Sequence, residues 1–465
     1  MTGRFLPLAC ALLVSACASS PIPGLAPADV PAHFEQAGTA NAPVWPSATW
    51  WRGFDDPQLS ALIAQAQASN LDLYQAAARV RQADARARQA GAALLPTVGI
   101  DASVDTLYGR SSGISQHETD YGAALTVSYD LDFWGKNRDA ATAAEAARAA
   151  SAADRATIAL TVTAGVATTY FQFLALQDRI ETAKANLTAS RDILDIVQRR
   201  VRAGYAANAD LTQERANMAA QQAALPALEQ QALEARTALA TLLGVPPEGF
   251  VLKPARLAKV AIPQVQPGLP SELLTRRPDI AAAEANLAGA HADLDAARKA
   301  FLPDISLTAG GGAAYPALAA AVATLPGFGL AANGGAALAQ AIFSGGRIQS
   351  RIEETRAREG ELLGAYRAAV IASLSDVENA LGNVGHLTAQ QAALEDQVAQ
   401  SEKVLTAARR KYAAGYADFL AVTDAQRSLY SARDQLADIR RAHLAALVTL
   451  FKALGGGWQL APPAR

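Results

Sequence analysis

Few side chains in this sequence have the types and spacing that chemistry requires. The 465 residues include five histidines, and their positions show no spacing typical of a metal site. Cys10 and Cys17 are the two cysteines, which excludes a disulfide framework and a thiol nucleophile in the body of the chain. The glycine strings at 310–312 and 345–346 are not followed by the Gly-Lys-Ser/Thr of a phosphate-binding loop. The residues therefore predict no enzyme, no metal site and no cofactor.

The one thiol placed for a defined reaction is that of Cys17. Arg4 precedes a short apolar run at 6–14, and the string Val14-Ser15-Ala16-Cys17 follows. Small residues before a cleavage point are typical of a signal peptide, and the cysteine resembles that of a bacterial lipobox, where the thiol receives diacylglycerol. We expect residues 1–16 to be removed and Cys17 to be lipid-modified. The alternative is an ordinary signal peptide that happens to contain a cysteine.

Two copies of one pattern, offset by 211 residues, organise the rest of the chain. Apolar residues recur every seven positions in each copy, which is typical of long paired helices. The first stripe is Phe173, Ile180, Leu187, Leu194 and Val201, and its counterpart is Val384, Gln391, Val398, Leu405 and Tyr412. Any single stripe is consistent with ordinary core packing. Their repetition in register favours a tandem pair of helical hairpins.

The pattern predicts long helices. We expect them at 56–91, 137–203, 208–243, 271–300, 347–414 and 419–454. At 1.5 Å per residue, the two longest reach roughly 100 Å each. Pro226 predicts a kink in the helix at 208–243. No run of 18 uniformly apolar residues free of turn signals occurs, so no transmembrane helix is predicted.

Four segments alternate apolar and polar residues instead. They lie at about 95–106, 121–133, 303–311 and 335–343, with Gly-rich loops predicted at 107–120 and 312–334. Alternation predicts strands with one apolar face, and about ten residues is the length of a strand that crosses a membrane. A small soluble sheet is the alternative.

Four strands cannot close a barrel, and an open edge in lipid leaves unpaired backbone groups. If the strands lie in a membrane, the chain must therefore form oligomers. Three copies would supply twelve strands, enough for a channel, and twelve long helices to form a tube. Thr126, Ser128 and Asp130, which alternate with apolar residues, would then line the lumen.

Several strings resemble those of a known family. The opening Trp50-Trp51-Arg52-Gly53-Phe54-Asp55-Asp56-Pro57-Gln58-Leu59 with Asn70-Leu71-Asp72 resembles that of TolC-like outer-membrane factors. Leu273-Leu274-Thr275-Arg276-Arg277-Pro278-Asp279-Ile280 resembles the start of their second half. Leu131-Asp132-Phe133-Trp134-Gly135 and Leu225-Pro226-Ala227-Leu228-Glu229 are also similar. The similarity runs from Cys17 to about Gly457 and is greatest to the NodT branch, the lipoprotein exit ducts of resistance-nodulation-division efflux systems.

The resemblance implies a mainly α-helical protein with a membrane β-barrel. It implies a homotrimer whose twelve-stranded barrel, four strands per chain, continues as a long helical barrel. The implied partners are a periplasmic adaptor (membrane fusion protein), an inner-membrane RND transporter and outer-membrane lipid. The net charge of −2 separately argues against nucleic acid as a partner. The expected domains are a signal peptide (1–16), a tether and equatorial segment (17–55), a first repeat (56–244), a linker (245–270), a second repeat (271–457) and a tail (458–465).

In this family the hairpin tips form the periplasmic entrance. By that resemblance Gly204, Tyr205, Gly415 and Tyr416 would contact the adaptor. Asp210 and Asp424 fall where the family carries entrance carboxylates, and Arg427 where some members carry a gate-linking arginine. Threefold symmetry would gather like charges into rings that hold cations. Position 421 is alanine where some relatives have a second aspartate.

Each gate residue also has a plainer interpretation. Asp210 could be the N-cap of the return helix, and Asp424 and Arg427 could be a surface pair three residues apart.

Two functions of different classes follow. The first is a passive export duct in the bacterial outer membrane, lipid-anchored and with a large periplasmic part. The second is a coiled-coil lipoprotein that spaces or tethers envelope layers, which would need no strands. The sequence predicts the duct, and it does not specify the exported compound.

Overall fold

The structure, a computed structural model, describes residues 30–36, 44–111, 114–253, 255–265, 267–315 and 329–459. Cys17, the predicted signal peptide at 1–16 and most of the predicted tail lie outside the described residues.

The two halves of the chain have the same order of elements. The first half contains α1 (Pro57–Ser69), α2 (Leu71–Ala92), β1 (Thr97–Ser111), β2 (Ile114–Leu131), α3 (Lys136–Arg202) and α4 (Asn208–Leu242). The second contains α5 (Leu273–Arg276), α6 (Pro278–Lys299), β3 (Asp304–Tyr315), β4 (Gly329–Ala339), α7 (Arg347–Ala413) and α8 (Phe419–Ala453). Short 3₁₀ turns lie at Trp50–Phe54, Leu257–Lys259 and Pro270–Glu272.

The four predicted long helices are confirmed. α3 and α7 have 67 residues each and α4 and α8 have 35, and every end lies within one residue of the prediction. Helix α4 continues through Pro226, and the predicted kink there stays a prediction.

The single helices predicted at 56–91 and 271–300 are wrong, because each is divided. Asn70 has extended backbone (ψ 131°) and its side chain accepts hydrogen bonds from the N–H groups of Asp72 and Leu73, so it begins a new helix. Arg277 is also extended (φ −105°, ψ 124°), as expected for a residue before proline, and α6 begins at Pro278.

Contacts divide the chain into two compact units that cut across the sequence repeats. One comprises Arg79–Ala152 and Ala282–Arg367, and contains the sheet; the other comprises Ala28–Ala78, Ala153–Ala281 and Ala368–Arg465. The main core of the second unit surrounds α3, where Tyr170, Phe171 and Leu174 are fully buried. Around them pack the aromatic rings of the opening motif, and Trp50 stacks on Phe451 with ring centroids 5.0 Å apart.

The strands form one antiparallel sheet in the order β1-β2-β3-β4. Ile100 pairs with Leu125 and Val98 with Val127, so the apolar residues of neighbouring strands share one face. That face is exposed within the chain: Ile100 is 80% exposed and Leu338 on β4 is 69% exposed. Thr126 lies on the opposite face, where its hydroxyl donates to Asp101 at 3.0 Å.

The strands are longer than predicted, and the loops predicted at 107–120 and 312–334 are wrong in part. The β1–β2 ladder continues from the pair Thr106–Thr119 to the pair Ser111–Ile114. Alternation predicts a strand only where apolar and polar residues alternate, and the sequence of residues 107–118 does not alternate. The glycines of β3 indicated a loop, but they have a different role in the sheet. A Cβ on Gly312 would lie 2.8 Å from the Ala123 carbonyl oxygen, so glycine there permits close pairing.

One described helix, Lys136–Arg202, is long and apolar enough by composition to cross a membrane. In its most apolar window 56% of the residues are buried within this chain. This is weak evidence for a membrane span, because the core helix of a soluble region passes the same test.

A contact that we call the joint, between the end of the return helix and the helix pair before the strands, occurs once in each repeat. It involves two of the motifs, those that contain Asn70 and Arg277. In the first repeat the Asn70 amide donates to the Leu242 carbonyl at 2.8 Å, at the end of α4. In the second, the buried Arg277 guanidinium donates to the Ala453 carbonyl at 3.1 Å, at the end of α8. Arg277 also donates to Asp279 at 2.6 and 3.0 Å and to Asp376 at 3.1 Å. These contacts fix the end of each return helix against the helix pair that precedes the strands.

Candidate functional site

The two hairpin tips have the same backbone conformation. Gly204 and Gly415 have φ of 74° and 81°, in the left-handed region that favours glycine. The N–H of Tyr205 donates to the Arg200 carbonyl and that of Tyr416 to the Lys411 carbonyl, both at 2.8 Å. The glycine N–H groups donate to the Val201 and Tyr412 carbonyls, each at 3.0 Å. The two bonds at each tip form a Schellman C-cap at the end of the long helix.

The tips expose their aromatic residues. Tyr205 is 78% exposed and Tyr416 is 86% exposed, and nothing lies within 4 Å of a Cβ built on either tip glycine. The predicted contact residues are thus brought to two equivalent, free surfaces. Whether they bind an adaptor stays a prediction.

Behind the second tip lies a residue that the sequence analysis missed as a site residue. Tyr412 is buried, with Arg200 of the other hairpin over its ring at 4.5 Å and donating to its carbonyl oxygen. Within the described residues its hydroxyl has no hydrogen-bond partner. Burial raises the pKa of Tyr412, opposed by the Arg200 charge and assisted by that of Asp210.

Asp210 does not cap the return helix. Helix α4 begins at Asn208, and its N-cap is Ala207, which has no side chain to accept a hydrogen bond. Asp210 lies in the first turn, where a carboxylate interacts favourably with the helix dipole. The capping role belongs to Asp418 in the other hairpin, whose carboxylate accepts from the Ala421 N–H at 3.0 Å.

Asp424 and Arg427 do not form the surface pair that was the alternative interpretation. No ion pair joins them within the described part of the chain, and Asp424 is exposed. Arg427 instead donates to the Asn217 side chain on α4 at 2.6 Å. Arg427 therefore links the second hairpin to the first.

A cluster of polar side chains between the hairpins was also missed. Gln426 on α8 donates to Ser190 at 2.7 Å and to Asn186 at 3.1 Å, both on α3. Ser190 also donates to Gln221 on α4 at 3.2 Å, and Glu214 lies beside it, 1% exposed. Burial raises the pKa of Glu214, although the nearby polar groups of Asn217 and Ser190 and the Arg427 charge oppose this. No sequence signal separates these residues from the many polar residues on helix surfaces.

The described residues contain no group of three or more His, Cys, Asp or Glu side chains that could hold a metal ion. His443 is buried, and its ring nitrogens contact Gln391 at 2.9 Å and Thr388 at 3.2 Å. Burial lowers the pKa of its imidazole.

The sheet and hairpins define a class: membrane channels assembled from several copies of a chain with an open four-stranded sheet and long helical hairpins. The family model for outer membrane efflux proteins matches residues 62–245 and 269–456, and the chain belongs to that family.

Its relatives match over nearly their whole lengths. The chain is 40% identical to the pyoverdine export outer membrane protein OpmQ of Pseudomonas putida, covering 99% of this chain and 98% of that one. It is 29% identical to the cation efflux system protein CusC of Escherichia coli, covering 98% and 99%. The outer-membrane channel OprN has a similar structure, with a TM-score of 0.85 and 29% identity, covering 95% of this chain and 99% of that one.

The predicted fold class, function, partners and location are confirmed by this membership. The protein is an outer-membrane efflux channel that works as a homotrimer with an adaptor and an inner-membrane pump. Proteins of this class combine a twelve-stranded β-barrel with an α-helical barrel. The family is one of transport ducts and is not an enzyme family.

Proposed function

We propose that this channel is the passive exit duct for a siderophore-class compound and performs no catalysis. The observation that carries the duct is the sheet, whose apolar face is exposed and whose edge strands β1 and β4 are unpaired within the described chain. The 40% identity to a pyoverdine export protein supports the substrate class. A spacer lipoprotein needs no such sheet.

The test is to delete the gene and measure the iron-chelating compounds in the medium. We expect extracellular chelator to fall and periplasmic chelator to rise, with recovery on complementation. Tolerance to metal cations is the matched comparison, since one relative is a cation efflux system protein. Unchanged chelator together with lost metal tolerance would contradict the siderophore assignment.

We also propose that Asp210, Asp424 and Arg427 lie at the periplasmic gate. Arg427 supports this most directly, because its 2.6 Å bond to Asn217 joins the two hairpins. An adaptor can open such a gate only by favouring the state in which this bond is broken. The two aspartates would form rings that attract cations.

Arg427→Ala should raise single-channel conductance in planar bilayers, because it removes a contact that holds the hairpins together. Arg433→Ala is the matched control, since Arg433 pairs with Glu402 within one hairpin. In the double variant Asp210→Ala, Asp424→Ala we expect reduced cation selectivity. Unchanged conductance and unchanged selectivity would leave these residues as ordinary surface groups.

Tyr205 and Tyr416 are our candidates for the adaptor contact, with Gly204 and Gly415 shaping the tips. Replacing both tyrosines with serine should weaken crosslinking to the adaptor, since each buries a large ring on binding. Tyr74→Ser is the control, because Tyr74 is also largely exposed, at 68%, but lies away from the tips. Equal loss of crosslinking in the control would argue against tip contacts.

Cys17 is the proposed lipid attachment site, after removal of residues 1–16. One acyl chain anchors weakly and several anchor firmly, and the barrel also inserts, so Cys17→Ser should impair sorting more than final retention. Mass spectrometry of the mature N-terminus tests this, and an unmodified Cys17 would contradict it.

The domain boundaries also remain our proposal: tether 17–55, repeats 56–244 and 271–457, linker 245–270 and tail 458–465.

A further inference from the structure

Glu214 is an acid placed where a charge is costly. It lies on α4, its side chain is buried between the hairpins, and its Oε1 atom has no hydrogen-bond partner within the described residues. The other oxygen, Oε2, accepts a long bond of 3.4 Å from Asn217. A buried carboxylate normally has several donors or a paired cation, and no ion pair joins Glu214 to any described basic side chain.

The groups that face Glu214 come from three helices. Helix α8 presents the positive Arg427, which bonds to Asn217 rather than to Glu214 itself. Helix α3 presents the neutral Ser190, and α4 contributes the neutral Asn217. Burial outweighs these influences and raises the pKa of Glu214 above its ordinary 4.5.

We propose that Glu214 is a proton-operated lock between the two hairpins. As a neutral acid it lets α3, α4 and α8 pack together, and as a carboxylate it weakens their contact, so the tips separate more readily as the periplasm becomes less acidic. This rests on the proposed role of the tips as the duct entrance. It adds a regulatory residue beyond Asp210, Asp424 and Arg427.

The direction of the effect follows from proton linkage. The packed state raises the pKa of Glu214, so it binds the proton more tightly than a state in which Glu214 meets water. Packing is therefore fully favoured below pH 4.5 and is weakened as the pH rises through the raised value. Between the two pKa values, one titrating group changes the opening equilibrium by up to about tenfold per pH unit for each protomer.

The test measures tip separation directly. Native cysteines occupy only positions 10 and 17, so Ala207→Cys provides one labelling site per protomer in the body of the trimer. A spin label is attached at this site in each protomer. The distances between the three labels are measured by pulsed electron paramagnetic resonance from pH 5 to pH 8.5. We expect the distances to lengthen with pH in the parent and to stay at their acidic values when Glu214→Gln is added.

Glu229→Gln is the matched control, because it removes the same charge from an exposed position on the same helix. It should follow the parent. If Glu214→Gln also follows the parent, or if the parent does not respond to pH, the lock is refuted. The distances between the tips are measured separately from channel conductance. A conductance result for Arg427→Ala that contradicts the proposed gate would therefore leave this test of Glu214 valid.

Discussion

At the scale of residues, the two repeats hold the end of the return helix with different chemical groups. Asn70 ties the end of α4 to the first joint by a neutral amide, whereas Arg277 ties the end of α8 by a buried guanidinium that also binds Asp279 and Asp376. The arginine joint is the more demanding of the two, because a buried cation and its carboxylates each depend on the other.

Arg277→Ala should therefore lower the free energy of unfolding by about 1–3 kcal/mol, because it leaves the buried Ala453 carbonyl without its donor. Asp279 and Asp376, whose side chains are 36% and 55% exposed, can bind water instead. The neighbouring Arg276 is the control. It is 31% exposed, lies 3.6 Å from Glu272 and covers the Trp45 ring, so Arg276→Ala should cost about 1 kcal/mol. Heating in detergent until the trimer dissociates measures the difference. Equal loss in both variants would contradict the argument.

The roles of individual residues were also the features that the sequence predicted least well. The string around Arg277 was singled out by resemblance, yet its role as a joint appears only when Ala453, 176 residues away, is brought to it. Glu214 could not be found at all, because its burial depends on α3 and α8. A lone glutamate on a polar helix has the same sequence pattern whether it meets water or a partner helix.

At the scale of elements, the sequence was most informative where each element is governed by local patterns. The ends of α3, α4, α7 and α8 were predicted within one residue because a glycine follows the last turn of each. The strands were underestimated because ladder hydrogen bonds continue where side-chain alternation has stopped.

The terminal glycines allow a paired prediction. Gly415 and Gly455 have φ of 81° and 83°, so alanine costs about 1–2 kcal/mol at either position for the backbone alone. A Cβ on Gly455 would also lie 1.9 Å from the Arg276 carbonyl oxygen, while Gly415 has open space. Gly455→Ala should therefore reduce trimer yield, whereas Gly415→Ala should assemble. Normal assembly of Gly455→Ala would show that the joint can shift.

At the scale of the whole molecule, the sheet explains why the channel is a trimer. Its four strands leave β1 and β4 as edges, and backbone groups at an edge in lipid must find partners in another copy. The trimer was predicted from this argument, and family membership confirms it.

Native mass measurement in detergent should give three copies, with the barrel lost only on strong heating. A stable monomer that retains the full strand content in circular dichroism would contradict the closure argument.

The two faces of the sheet can be distinguished in the assembled channel. Ile100→Lys places a charge on the apolar face and should cost about 2–4 kcal/mol per copy near the bilayer centre. Ser103→Lys lies on the opposite face of the same strand, which we expect to line the water-filled lumen, and should therefore insert normally. The amount of trimer in outer-membrane fractions compares them. If Ser103→Lys fails and Ile100→Lys inserts, the lumen assignment is reversed.

The length of the first strand pair has a consequence for the surface of the cell. A strand crosses the membrane with about 9–11 residues, whereas β1 has 15 residues and β2 has 18. With the helices in the periplasm, the surplus extends outward as paired, regular backbone. Each trimer therefore presents three two-stranded ribbons to the medium. Antibodies and bacteriophages that bind extended backbone at the cell surface would find it there, whereas the β3–β4 pair, with 12 and 11 residues, offers them less.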